Sequence, residues 1–177
     1  GACLAELRSK EISQTCPQCR EELPAGVEGL WDLAFRAYSR VDGVVKRGEA
    51  SWGSLPPAEQ EEMDEVVAML TEAGAQGHKG ALFNLAYAYD EGEGVARDVD
   101  RAIELYTQAA QRGYANAYIN LGLLLKNERK DLDGAEKAFR AAIEADPGYA
   151  NAHNNLGLLL QNAREDVDGA EKAYRTA

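Results

Sequence analysis

The run GYANAYINLGLLLKNERKDLDGAEKAFRAA, residues 113–142, returns as GYANAHNNLGLLLQNAREDVDGAEKAYRTA at 148–177, with 22 of 30 positions identical and an offset of 35 residues. Self-similarity at that period is the signature of stacked helix pairs. One pair of short amphipathic helices cannot bury its apolar face alone, whereas neighbouring pairs share a continuous core. A third, divergent copy lies upstream, because Asn84-Leu85, Asn120-Leu121 and Asn155-Leu156 are spaced 36 and then 35 residues apart. Each copy reads as an apolar helix, a polar turn and a second helix whose aromatic, Tyr106, Phe139 or Tyr174, follows Ala102, Ala135 or Ala170. Ala102, Tyr106 and Ala109 stand at i, i+4, i+7 on one helical face, as do Ala135, Phe139 and Ala142. The alanines let neighbouring helices approach closely. Asp98, Asp131 and Asp166 precede these helices as N-caps. Gly113 supplies a C-terminal stop, and Asp146-Pro147-Gly148 a break in the chain. The signals predict an all-α solenoid of helix pairs, which places function on a surface rather than in a pocket.

Upstream of the repeats, residues 24–76 show no period match but a helical pattern. Leu30, Leu33, Ala34, Ala37, Val41, Val44 and Val45 fall along one broad stripe, which predicts a long packed helix. A turn-rich loop, GEASWGSLPP, follows, and Pro57 suits the first turn of a helix running to Ala75. Met63, Val66, Val67 and Leu70 recur at helical spacing within it, so the pair reads as an N-terminal cap of the solenoid, with Trp52 plugging the loop into it.

Two related families are suggested by different stretches. Within Ala81 to Ala117, the run NLAYAYDEGEGVARDVDRAIELYTQAAQRGYANA resembles a Sel1-like repeat, with the extra Gly-rich turn at Glu91 to Gly94. From Tyr118 onward, LGLLLKN and DLDGAEKAFRAAIEADPGYANAHNNLG resemble tetratricopeptide repeats, with Gly122 or Gly157 at the close helix contact, Pro147 ending the second helix, and one extra residue in the turn as a departure. The resemblance covers roughly Leu82 to Ala177. It implies a right-handed superhelix whose concave face holds protein segments, and it implies no chemistry. The expected organisation is a helical cap pair at 24–76, a Sel1-like repeat at 77–112, a repeat at 113–147 and a truncated repeat at 148–177.

Residues 1–23 differ in kind. Cys3-Leu4 and Cys16-Pro17-Gln18-Cys19-Arg20 resemble the last third of a RING-type zinc finger. By that resemblance Cys3 belongs to one zinc site and Cys16 and Cys19 to the other. Structural zinc takes four N or S ligands, and the chain's three Cys with distant His78 and His153 complete neither site. An irregular, metal-free segment is expected here, since small zinc domains lose their main folding term without the ion. A RING implies a ubiquitin ligase that recruits a ubiquitin-conjugating enzyme, a role for a longer parent. Incidental thiols or a redox pair are the alternatives. Ala177 aligns with Ala142, after which the earlier copy runs on to Pro147, so the sequence reads as a piece of a longer chain. Leu156, Leu159, Leu160, Ala170 and Tyr174 would then face water on one side, predicting a fraying last helix or end-to-end self-association.

The net charge of -11 opposes the phosphate backbone, which argues against nucleic acid as a partner. No apolar run approaches the roughly 20 residues of a membrane helix. The expectation is a cytoplasmic protein whose partner is another polypeptide. Asn84, Asn120 and Asn155 recur in register on the first helices, and Asn116 and Asn151 recur likewise. A side-chain amide offers two donors and an acceptor, so such a ladder can grip an extended backbone, or alternatively tie neighbouring helices together. Tetratricopeptide domains that hold acidic tails use Lys and Arg in the groove, whereas the equivalent face here carries Phe83, Tyr87, Leu123 and Leu158. The acidic surface fits a neutral or basic segment instead. Catalysis finds no footing: His78 and His153 are solitary, and Gly92 and Gly94 lack the strand and the Lys-Ser/Thr of a phosphate loop.

Overall fold

The stripe spacing and caps read above place helices in order along the chain. The structure, a computed structural model, describes residues 26–163 and 166–176. Helix α1 spans Gly26–Lys46, α2 Pro57–Ala75 and α3 Lys79–Glu91. Helix α4 spans Val99–Gln111, α5 Ala115–Leu124, α6 Leu132–Ala145, α7 Ala150–Ala163 and α8 Val167–Arg175. A single isolated bridge between Ser51 and Ser54 is the β-type pairing among the described residues. The segment carrying Cys3, Cys16 and Cys19 lies outside the described residues.

Two compact units emerge, one ending at Asp98 and one beginning at Val99. In the first, α1 packs on α2 and α2 on α3. Ala34, Ala37 and Val41 of α1, Met63, Val66 and Leu70 of α2, and Leu82 and Leu85 of α3 are buried. Pro57 occupies the first turn of α2, where its missing N–H costs nothing. The imidazole of His78 caps α3, its Nδ1 accepting from the Ala81 amide at 2.9 Å. That bond leaves Nε2 to donate to Glu28, 3.1 Å away.

In the second unit each helix packs on the next, from α4 through α8. Ile119, Ala135, Phe139, Ala142, Ala152, Leu156, Leu159, Leu160, Ala170 and Ala173 form one core drawn from four successive helices. This shared core is what two helices alone could not build. Asp131 and Asp166 cap α6 and α8, accepting from Gly134 and Gly169 amides at 2.8 and 2.9 Å. The turn's extra residue has a structural answer. After α5 the chain widens into a π-helical turn over Leu125–Arg129, and Lys130 adopts a left-handed conformation at φ 56°. The Asp131 amide then reaches back to the Leu125 carbonyl at 3.0 Å, and the Asp166 amide to the Leu160 carbonyl at 2.9 Å. The same backbone bond thus closes the turn in both repeats, and the caps of α6 and α8 are intact. Arg129 on the widened turn is ion-paired with Asp100 of α4.

Candidate functional site

The asparagine positions divide once their neighbours are known. Asn120 donates to the Tyr106 hydroxyl at 3.1 Å, which ties α5 to α4. Asn116 accepts from the Tyr149 hydroxyl at 2.8 Å, linking successive repeats. Asn155 donates to the Asn151 carbonyl one turn earlier in α7, at 2.8 Å. Asn116 and Asn151 are exposed, while Asn84, Asn120 and Asn155 are half-buried. Leu158 on α7 is 46% exposed. The first helices of the second unit thus present a mixed apolar and amide face, part of whose amide capacity is spent on the fold. The second histidine is structural as well: His153 is buried, with Nε2 2.9 Å from the Pro147 carbonyl and Nδ1 2.8 Å from the Thr176 hydroxyl.

A second cluster lies in the first unit around the Gly-rich turn. Helix α3 ends on Gly92 in the left-handed region at φ 74°, and Gly94 follows at φ 70°. The amides of Gly92 and Glu93 both reach the Ala88 carbonyl at 2.9 Å. Gln60 of α2 donates to the Gly94 carbonyl at 3.0 Å, clamping the turn. Held between two glycines, Glu93 turns inward and is 8% exposed. Its carboxylate accepts from the Tyr38 hydroxyl at 2.7 Å. Tyr38 stacks on Trp52, with ring centroids 5.7 Å apart and planes 10° from parallel. Trp52 therefore does anchor its loop, as the sequence suggested, with α1 as the receiving surface.

Trp31, Phe35, Tyr38 and Asp42 stand at i, i+4, i+7 and i+11 along one line of α1. Trp31 and Phe35 stack at 5.8 Å, and Phe35 is 50% exposed. Tyr87 of α3 is 38% exposed. Asp42 holds Lys46 at 2.7 Å. Burial pushes the Glu93 carboxyl above the ordinary range; the Tyr38 bond opposes this, and Asp42 and Glu91 add to it. Burial, followed by Glu93, Glu91, Asp90 and Asp42, raises the Tyr87 phenol. Burial likewise raises Tyr38, reinforced by its bond to Glu93.

A raised carboxyl pKa in the folded state means that the folded protein holds its proton more tightly than the unfolded chain does. The stability contributed by that proton is present at low pH and is lost as pH rises through the folded value. The difference in unfolding free energy between Glu93→Gln and wild type should therefore grow in favour of the variant as pH climbs from the ordinary glutamate range to neutrality. Urea denaturation at several pH values checks this, and a difference constant with pH would contradict it.

Among the described residues no group of three or more His, Cys, Asp or Glu side chains is placed to hold a metal ion. No helix among them is long and apolar enough to cross a membrane.

Residues 80–114 match the family model of the Sel1 repeat, and residues 128–177 that of a tetratricopeptide repeat. The two matches fall on separate stretches, the Sel1 repeat first and the tetratricopeptide repeat after it. Among solved structures the chain is similar to a Sel1 repeat protein from Oxalobacter formigenes, at 20% identity over 85% of this chain and 57% of that one, with a TM-score of 0.62. It is also similar to c5321, a protective antigen of uropathogenic Escherichia coli strains displaying an SLR fold, at 27% identity over 85% of this chain and 30% of that one, TM-score 0.62. MamA is a further neighbour, at 22% identity over 84% of this chain and 87% of that one, TM-score 0.54. The chain thus spans 57% and 30% of the lengths of the first two. No curated protein sequence matches it. These likenesses establish an all-helical, repeat-solenoid type of fold, and they lend the RING expectation no support.

Proposed function

We propose that the chain is a protein-interaction scaffold that holds a polypeptide segment against the exposed faces of its first helices. The observation that carries this reading is the division of labour within each repeat. The second helices bury Phe139 and the small residues that join the pairs, while α5 and α7 keep Asn116, Asn151 and Leu158 at the surface. A face of amides and isolated apolar groups suits the backbone of another chain, because the amides serve either hydrogen-bonding sense. Asn151→Ala combined with Asn155→Ala should weaken capture of a bound polypeptide by about tenfold, roughly 1.4 kcal/mol. The pair is chosen because neither side chain bonds a neighbouring helix in the way that Asn120 bonds Tyr106. Unchanged affinity in a pull-down titration would remove the amides from the binding face.

The ligase reading of a longer parent rests on Cys3, Cys16 and Cys19 alone. Three thiols do not complete a tetrahedral zinc set, so a zinc titration of this chain should find no stoichiometric tight site. Tight zinc at one ion per chain would restore that reading.

A further inference from the structure

The geometry points to the aromatic and acidic surface of the first unit, centred on Tyr38, Trp52, Tyr87, Asp42 and Glu93, as a docking site for an arginine-bearing segment of a protein partner. This rests on the scaffold reading and names the partner's chemistry. Three features select a planar cation. The first is the aromatic surface itself, with Tyr87 38% exposed near Tyr38 and its stacked partner Trp52. A guanidinium stacks on aromatic faces more readily than an ammonium does and is more weakly hydrated.

The second is the state of Glu93. A carboxylate offers about four acceptor sites, yet among the described residues this one, nine-tenths buried, receives a single side-chain hydrogen bond, from the neutral Tyr38 hydroxyl. No ion pair to it is formed among those residues, and Lys46 acts on it only at a distance. Burying a carboxylate so sparsely compensated is costly, and the fold nevertheless holds it in place with two left-handed glycines and the Gln60 clamp. A guanidinium fork supplies the missing donors and the charge together.

The third is charge complementarity over a wider radius. Glu91, Asp90 and Asp42 act on the Tyr87 phenol and Asp42 on Tyr38 as well, and the whole chain carries -11. Two cations already stand in this field as tethered competitors: Lys46 is bound to Asp42 with its side chain 75% exposed, and Arg97 donates to the Asp90 carbonyl and lies 3.9 Å from its carboxylate. Such a field attracts basic segments and repels acidic ones.

The test uses the whole 177-residue chain and two synthetic peptides, one alternating arginine with glycine and the same peptide with neutral citrulline in place of arginine. Binding is measured by calorimetry, and the site is located from the indole NMR signals of Trp52 and Trp31. The arginine peptide should bind about tenfold more tightly than the citrulline peptide, shift the Trp52 signal, and weaken steeply with salt. Asp42→Asn and Glu93→Gln, which preserve shape, should each lose about tenfold, while Lys46→Ala should gain about threefold by freeing Asp42. Equal binding of the two peptides, or indifference to both Asp42→Asn and Glu93→Gln, would overturn the proposal. So would a Trp52 shift on concentrating the protein without peptide, which would assign the surface to a second copy of the chain. Capture that depends on Asn151 and Asn155 but not on Asp42 and Glu93 would sink this inference while leaving the scaffold reading in place. Capture indifferent to all four residues would sink both.

Discussion

Phe139→Ala should destabilise the second unit by about 3–5 kcal/mol, the range for removing a fully buried aromatic ring. Phe139 is 0% exposed and lies in the core that α5, α6, α7 and α8 build together. Its ring lies against the backbone of α5 at Gly122, where an added Cβ would stand 2.5 Å from Phe139 Cε1. Tyr174 and Gly157 repeat the arrangement one period later, also at 2.5 Å. The two residues therefore define one contact. Gly122→Ala alone should cost about 1–3 kcal/mol through overpacking, and the same change made in a Phe139→Leu background should cost distinctly less. Urea denaturation of the four proteins in that cycle measures the coupling. Strict additivity would show that ring and glycine do not share a contact.

Gly94→Ala should be the most damaging single methyl in the first unit, at about 2 kcal/mol or more. Two penalties add there. A side chain at φ 70° carries about 1–2 kcal/mol of left-handed strain, and the new Cβ would lie 2.8 Å from Cβ and Cε of Met63, itself fully buried. Because Cβ of Met63 cannot swing aside, the turn must move instead, which carries Glu93 away from Tyr38. Denaturation gives the stability loss, and the Trp52 indole signal reports on the ring stacked against Tyr38. Met63→Ala in the same chain retains its Cβ and should relieve only the contact with the side-chain end, leaving the backbone strain and part of the crowding. Full recovery in the double variant would mean that the backbone conformation carries no strain.

Much of the repeat architecture is legible without coordinates. The 35-residue period, the aspartates before α6 and α8, the stop at Gly113 and the break at Asp146-Pro147-Gly148 are local signals, and each acts on a neighbouring turn of its own chain segment. The glycines opposite Phe139 and Tyr174 were expected from family resemblance, and the near contacts give that expectation its physical cause. The departure in the turn was visible as one extra residue, but its accommodation by a π-helical turn and a left-handed Lys130 was not. The asparagine ladder shows the same limit. Five residues recur in register, yet Asn120 and Asn116 spend hydrogen bonds on Tyr106 and Tyr149, and sequence spacing alone does not distinguish a spent amide from a free one.

The Glu91 to Gly94 turn makes the division sharpest. Its composition announced a Gly-rich connection, and nothing in the run EGEG singles out the third of its residues. Glu93 meets Tyr38 across 55 positions of chain, and Tyr38 meets Trp52 from the far side of a loop. The sequence by itself determined the all-helical repeat plan, because periodicity, capping and chain breaks are chemistry between near neighbours. Only the tertiary structure decided which carboxylate is buried beside which aromatic ring, because that depends on how α1, α2 and α3 bring distant segments together, and packing, unlike periodicity, leaves no regular mark along the chain.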